Sequence, residues 1–272
     1  MNDFAEQVMW ITGASSGIGA ALAREFSRQG AAIVLSGRDT ARLEQVAEGL
    51  AGDRLILPFD VRDEAAMLSA TEAAVEWRGR VDIFVANAGV SQRSLAKDTA
   101  MPVYREIVEI DLLAQIAATQ ALLPHLIAQQ AGRLVLISSI AGKVGVPLRT
   151  AYCAAKHGLI GYADALRAEL TSYGVAVHVV CPGSVATDVS RNALTADGSR
   201  RGHSDIAIDN GIPPGEAAQE IVDAILADQR EIIVARGPEQ MMGEARRTPD
   251  AVFDQMGRMM AEGYAQKMQG ER

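Results

Sequence analysis

The chain predicts an α/β fold: a single doubly wound, seven-stranded parallel sheet with helices on both faces. Three observations carry this. Short β-rich runs alternate with longer helical patterns through most of the 272 residues, and that alternation implies a parallel sheet. The strand candidates are mostly continuous apolar runs, as suits strands covered on both faces. The first of them, Val8–Thr12, runs into a glycine turn and then a helix, the layout that presents backbone N–H groups to a phosphate.

The elements follow in order. Thr12–Gly19 reads T-G-A-S-S-G-I-G, with glycines spaced G-x-x-x-G-x-G. Gly13 would permit a tight turn out of the strand, Gly17 a close backbone approach to a pyrophosphate, and Gly19 close packing of the next helix. Ser15 and Ser16 add hydroxyl donors, and Ile18 opens a helical pattern to Gln29. Strand candidate Ala32–Ser36 and helix candidate Thr40–Leu50 come next, then Arg54–Phe59 and Asp63–Arg78. Ile83–Ala86 precedes a long helical pattern, Met101–Gln130, which Pro124 should kink or split. Arg133–Ser138, Thr150–Tyr173, Ala176–Cys181, Pro214–Asp228 and Glu231–Ala235 complete the alternation. Residues 1–237 form one domain, and 238–272 form a helical C-terminal extension of it.

Two segments stand outside the pattern. Ser190–Pro213 is rich in Asp, Gly, Ser and Arg and follows the sixth strand on the ligand side of such a sheet, so a lid is expected there. The tail holds six of the ten methionines; Phe253, Met256, Met260 and Tyr264 recur at helical spacing, which suits a substrate entrance, contact with a partner chain, or packing on the domain itself.

Composition narrows the function. A net charge of −8 argues against a nucleic-acid or anionic-membrane binder. Cys153 and Cys181 make neither a disulfide scaffold nor a zinc site, and the four histidines form no ligand cluster, so no metal is expected. No apolar run approaches a membrane span, and the first strand begins too early to leave room for a signal peptide. A cytoplasmic location follows as the expectation.

The chemistry points to hydride transfer. In Ile33-Val34-Leu35-Ser36-Gly37-Arg38-Asp39, glycine stands where an NAD-selective site places an acid, and Arg38 can pair with a 2′-phosphate, so NADP(H) is expected. Asp39 is the one acid that a single-residue shift could return to the ribose. Tyr152 and Lys156 share a helix face at i and i+4. The ammonium favours phenolate and lowers a pKa of about 10. Ser139, at the carboxyl end of the fifth strand, can hold a substrate oxygen beside Tyr152, while the side chain of Ser138 should point elsewhere.

These motifs together resemble the short-chain dehydrogenase/reductase family, whose Rossmann domain they match in order from about residue 8 to 235. The resemblance rests on Thr12–Gly19, Asp60-Val61, Asn87-Ala88-Gly89, Ser139, Tyr152 with Lys156, and Pro182-Gly183 with Thr187. It implies that Asp60 and Val61 contact adenine, that Asn87 supports the sheet, and that Ala88 and Gly89 line the cofactor. Lys156 would also bond the nicotinamide ribose, and Pro182, Gly183, Val185 and Thr187 would cradle the nicotinamide. A homodimer or homotetramer on the Met101–Gln130 and Thr150–Tyr173 helices is implied as well. Arg149–Tyr152 and Thr195–Ser199 are most similar to the branch called dehydrogenase/reductase member 7, whose proteins often carry an N-terminal membrane anchor; none is expected here.

One position departs from the family pattern. Asp111 stands where an asparagine usually organises a water linking Lys156 to solvent; its charge would favour protonated Lys156 and raise the pKa of the phenol. The expected activity is hydride transfer between NADP(H) and a carbonyl or secondary alcohol. The substrate would be apolar, in a pocket drawn from Ile140, Val144, Val146, Leu148, Val185, Val189 and the 190–213 loop, with Ser91, Gln92 and Arg93 at the rim. The alternative is a non-catalytic NADP-binding regulator.

Overall fold

The computed structural model describes residues 4–264. Seven parallel strands, β1 (Val8–Thr12), β2 (Ala32–Gly37), β3 (Arg54–Pro58), β4 (Ile83–Ala86), β5 (Gly132–Ile137), β6 (Val175–Pro182) and β7 (Glu231–Val234), lie in the order β3-β2-β1-β4-β5-β6-β7. The order reverses between β1 and β4, and the crevice at the carboxyl ends there is where such sheets take ligands.

The continuous apolarity of the strands has the expected cause. In β1, Met9 and Ile11 face one core and Val8 and Trp10 the other. The first core is closed by α1 (Gly17–Arg28), α2 (Thr40–Glu48) and α8 (Pro214–Leu226), through Leu22, Phe26, Leu43 and Ile221. The second is closed by α3 (Glu64–Arg78), α5 (Ala114–Gln129) and α6 (Thr150–Leu170), through Met67, Leu122, Leu126 and Leu159. Each fully buried Leu or Phe contributes about 1.5–3 kcal/mol. Trp10 spends its indole N–H on Ser36 Oγ at 2.9 Å, so this buried aromatic leaves no donor unpaired.

The long fourth helical pattern is interrupted, but not where the sequence suggests. The helix runs on through Pro124; the break is a π-helical turn, Glu109–Leu113, between α4 (Met101–Val108) and α5. Proline removes one intrahelical bond, and the burial of Leu122 and Leu126 on the core face of the same helix outweighs that loss. The π turn carries Asp111 inward, as π turns often do at functional positions.

The combined helical run Met101–Gln129 also amends the expectation about membrane spans. An 18-residue window of it, with a mean hydropathy of 1.3, passes for a span by length and composition. Half of that window is buried within the fold, where the run packs against β5, α3 and α6.

The 190–213 segment adds one short helix beyond the expected set, α7 (Ile206–Asp209), and the tail, expected to be helical, holds α9 (Gly237–Ala245) and α10 (Asp250–Ala261). Phe253 of α10 is buried beneath the Arg167 guanidinium, 4.2 Å from its ring centre, and Gly257 abuts Thr171, so α10 packs on the end of α6. Residues 265–272 of the tail lie outside the described residues.

Candidate active site

The glycine turn is built for close approach. Gly13 has φ 64°, and a Cβ there would fall 2.9 Å from Ala88 Cα. A Cβ on Gly19 would fall 2.4 Å from the Gly13 carbonyl oxygen, so only glycine lets α1 start so near the turn. Gly17, at φ 56°, faces Thr187, whose Cγ2 would lie 3.2 Å from its Cβ. Ser16 precedes α1 without a side-chain cap, and the first turn holds no acid. That leaves the positive end of a twelve-residue helix free for an anion. Ile18 packs on the core.

Asn87 ties β4 to β1. Its side chain donates to the carbonyls of Thr12 (2.9 Å) and Gly13 (3.2 Å), and the N–H groups of Asn87 and Ala88 both reach Thr12 Oγ1. At the end of β2, Gly37 faces Ser15 and Leu43. Asp39 is spent on capping α2, accepting the Arg42 N–H at 3.1 Å, so it is not turned back to that position. Arg38 stands largely in solvent, 3.9 Å from Asp60. Asp60 is gripped by Arg62, whose Nε and Nη2 donate at 3.0 and 2.6 Å, and this holds its carboxyl below the usual range. Arg62 carried no motif signal. Val61 packs half-buried on the second core.

At the other end of the crevice, Ser139 leaves β5 and caps a short 3₁₀ turn, accepting from Ala141 N at 3.1 Å and donating to the Pro182 carbonyl at 3.3 Å. It faces Tyr152 closely enough to favour phenolate by hydrogen bonding. Ser138 points the other way, onto the Lys156 carbonyl at 3.0 Å. Lys156 Nζ lies 5.6 Å from the Tyr152 ring centre and donates to Ile137 O at 3.0 Å. Asp111 Oδ1 stands 2.9 Å from the same Nζ, and its Oδ2 accepts Val90 N–H at 3.0 Å. The sequence-predicted Ser139, Tyr152, Lys156 and Asp111 therefore meet at one place.

Burial sets the local pKa values. It raises the Tyr152 phenol above its usual value, outweighing the downward pull of Lys156; Asp111 pushes it further up. The expected lowering by Lys156 is present but is overcome by desolvation. Burial works against the Lys156 ammonium, yet Asp111 and Tyr152 more than offset it and Lys156 lies above its usual value. Burial likewise raises Asp111, against the pull of Lys156.

The pocket beside Tyr152 is less apolar than expected. Ile140, Val146 and Val189 line it, joined by Ile208 from the 190–213 segment. Val144 and Val185 are instead packed into the protein body, and Leu148 faces solvent. Ser91 and Arg93 do line the pocket, with Arg149, Ser184 and Glu239. Gln92 is wholly buried, bonding Ser94 and Thr99 and accepting Ala151 N–H. Glu239, from the tail, accepts from Ser184 N (2.7 Å) and Ser184 Oγ (2.9 Å), closing the pocket beside Gly183. The 190–213 segment lies over the pocket and is tied to its wall, since Leu194 N donates to Ser91 O and Arg93 N to Leu194 O, both at 2.8 Å.

Residues 7–198 match the short chain dehydrogenase family. The chain belongs to the short-chain dehydrogenase/reductase family. Within this oxidoreductase family it is similar to dehydrogenase/reductase member 7B of Danio rerio, at 38% identity over 85% of this chain and 77% of the relative. Against member 7 of Homo sapiens the identity is 40%, over 72% of this chain and 60% of the human protein. These place the chain in the member 7-like branch. A metagenomic short-chain oxidoreductase solved with NADP superposes with a TM-score of 0.71 at 30% identity, over 85% of this chain and 97% of that one. A short-chain dehydrogenase from Burkholderia phymatum solved with NAD gives 0.77 at 22% identity, over 86% and 90%, and shows the shared fold. A short-chain dehydrogenase of this fold takes a nicotinamide cofactor; which one this chain prefers belongs to the residues at β2.

Proposed function

We propose that the protein is an NADP(H)-dependent carbonyl reductase or alcohol dehydrogenase. The observation that carries this reading is the convergence of Ser139, Tyr152, Lys156 and Asp111 at the carboxyl ends of β4 and β5, beside a pocket and beyond a free helix N-terminus. The residues fit the dinucleotide. Gly13, Gly17, Gly19, Ser15 and Ser16 leave an acid-free cradle for the pyrophosphate, with Thr187 opposite. By family likeness, Asp60 and Val61 would hold the adenine, Ala88 and Gly89 would line the cofactor, and Pro182, Gly183 and Val185 would hold the nicotinamide. A side chain longer than glycine at position 89 would strike Asp111 Oδ1, at 2.6 Å from its Cβ.

The nicotinamide supplies or accepts the hydride when bound. The chain's own part is proton transfer and positioning. Ser139 holds the substrate oxygen, and Tyr152 gives it a proton in reduction or takes one in oxidation. Lys156 stabilises the phenolate that reduction leaves behind, and Asp111 keeps Lys156 charged. Because burial raises the phenol, the protonated form that reduction needs prevails through neutral pH.

Arg38 supports NADP(H): its guanidinium stands largely in solvent at the end of β2, Asp39 is committed to its helix cap, and Asp60, 3.9 Å from Arg38, is held by Arg62. The intact Ser-Tyr-Lys set speaks for catalysis over a binding-only regulator. A cytoplasmic location is carried forward with two buried free cysteines in support, and a homodimer or homotetramer through α5 and α6 by family likeness. The experiment is a panel of carbonyl compounds followed by loss of NADPH absorbance, beside binding of NADPH and NADH. Turnover with tighter NADPH binding is expected. Equal or tighter NADH binding overturns the cofactor assignment, and absence of turnover across the panel overturns the enzyme.

A further inference from the structure

Resting on that reading of Tyr152, we infer that the substrate carries a carboxylate near its carbonyl, received by Arg149 and Arg93. Three guanidiniums, Arg93, Arg149 and Arg201, converge on a single acid, Asp205. Arg201 gives Nη1 to Asp205 and Ser190 Oγ and Nε to His203, and it lies outside the pocket lining. Arg93 gives Nε to Asp205 at 2.7 Å and Nη1 to Ser91 Oγ and the Gln92 carbonyl, and among the described residues its Nη2 takes no partner. Arg149 reaches Asp205 only at 3.5 Å and makes no side-chain hydrogen bond among the described residues. Both Arg93 and Arg149 line the pocket, and the charge of Arg149 acts on the Tyr152 phenol.

The remaining acid in the pocket wall does not balance them. Glu239 is turned to the N–H and hydroxyl of Ser184. Arg93 is 7% exposed, and burying a guanidinium beside a second one is costly unless an anion completes the set. Nor is this a loose surface arrangement. Ser94 N donates to Leu148 O at 3.1 Å and Ala151 N to Gln92 Oε1 at 2.8 Å, lacing the Arg93 segment to the start of α6. Leu148, immediately before Arg149, is held at φ 66°, a left-handed conformation that bulky residues rarely adopt. A planar fork offered by a fixed arginine matches a carboxylate, and Asp205 already accepts one charged bond from Arg93 on Oδ2 and one from Arg201 on Oδ1. The apolar part of the substrate would rest on Ile140, Val146 and Val189, and the carboxylate on the free donors of Arg149 and Arg93.

The test compares 4-phenyl-2-oxobutanoate and 4-oxo-4-phenylbutanoate, each against its neutral methyl ester, by NADPH absorbance in the wild type, Arg149→Leu and Arg149→Lys. At least one acid should exceed its ester in kcat/KM by about 10- to 100-fold, the range of a charged hydrogen-bonded pair, through KM rather than kcat. Arg149→Leu should bring that ratio close to one, and Arg149→Lys should restore part of it. A melting curve for each variant shows that it is folded. Esters turned over as well as acids, or a ratio that Arg149→Leu leaves unchanged, overturns the carboxylate assignment and leaves the reductase standing. If neither acids nor esters consume NADPH while other carbonyls do, the carboxylate assignment alone falls; if no carbonyl does, the reductase reading falls and takes this inference with it.

Discussion

Asp111 and Lys156 form a buried ion pair, Oδ1 to Nζ at 2.9 Å, with both side chains almost wholly shut off from solvent. A π turn and a helix thus meet at a charge pair directly behind the phenol of Tyr152. The carboxylate raises both Lys156 and Tyr152. Alcohol oxidation needs the phenolate, so in the wild type its rate should climb with pH into the alkaline range. Asp111→Asn removes one upward push on the phenol, and the oxidation profile should move to lower pH. A pH–rate curve that superposes on the wild type would take Asp111 out of the proton path.

The same pair has a stability consequence. Asp111→Ala leaves the Lys156 ammonium buried, with the Ile137 carbonyl as its remaining hydrogen-bond acceptor among the described residues. Breaking a buried pair by removing one partner costs about 3–5 kcal/mol. Denaturant unfolding should show a loss of that order, and Asp111→Asn, which can still accept the Val90 N–H, should lose less. A loss below about 1 kcal/mol for the alanine variant would mean that the pair is not closed in solution.

Gly89 tests the packing in front of Asp111. A Cβ at this position would stand 2.6 Å from Asp111 Oδ1, inside any tolerable contact. Gly89→Ala should cost about 1–3 kcal/mol by overpacking and should disturb the Asp111–Lys156 geometry, with a fall in turnover. Unfolding curves and initial rates measured together check both effects. Gly79→Ala is a poor control because its φ of 73° is itself unfavourable to alanine; Gly161→Ala, on α6 with open space around its would-be Cβ, is the better one.

Arg38 tests the cofactor assignment. Its guanidinium lies largely in solvent at the end of β2. Arg38→Ser should weaken NADPH binding by about 10- to 100-fold, as expected for loss of a charge-assisted phosphate contact, and should leave NADH binding nearly unchanged. The weakened binding should also lose part of its salt dependence. Calorimetric titration with each cofactor reads the result, and equal losses for both would place Arg38 away from the 2′-phosphate.

Much of the fold was legible because its signals are local. Most of the strands announced themselves as continuous apolar runs that bury alternate residues on opposite faces, as Val8 to Ile11 show, while the edge strand β3 is only partly buried. The meeting of Ser139, Tyr152 and Lys156 was legible because helix periodicity and strand-end position are written in the spacing. What escaped depends on the tertiary fold. Pro124 advertised a break that core burial suppresses, whereas the π turn at Glu109–Leu113 has no residue that marks it. Arg93, Arg149 and Asp205 are far apart in the chain and meet only because the 190–213 segment folds back over the pocket. Glu239 reaches Ser184 from a tail helix whose docking no local pattern specifies.

The central claim is that Tyr152 moves the proton while the rest of the site binds and positions. The most direct measurement is single-turnover oxidation of bound NADPH by a carbonyl substrate, in the wild type and in Tyr152→Phe, with NADPH affinity determined for both. The account predicts near-equal affinity and turnover lost in the phenylalanine variant. Turnover retained by Tyr152→Phe would contradict it.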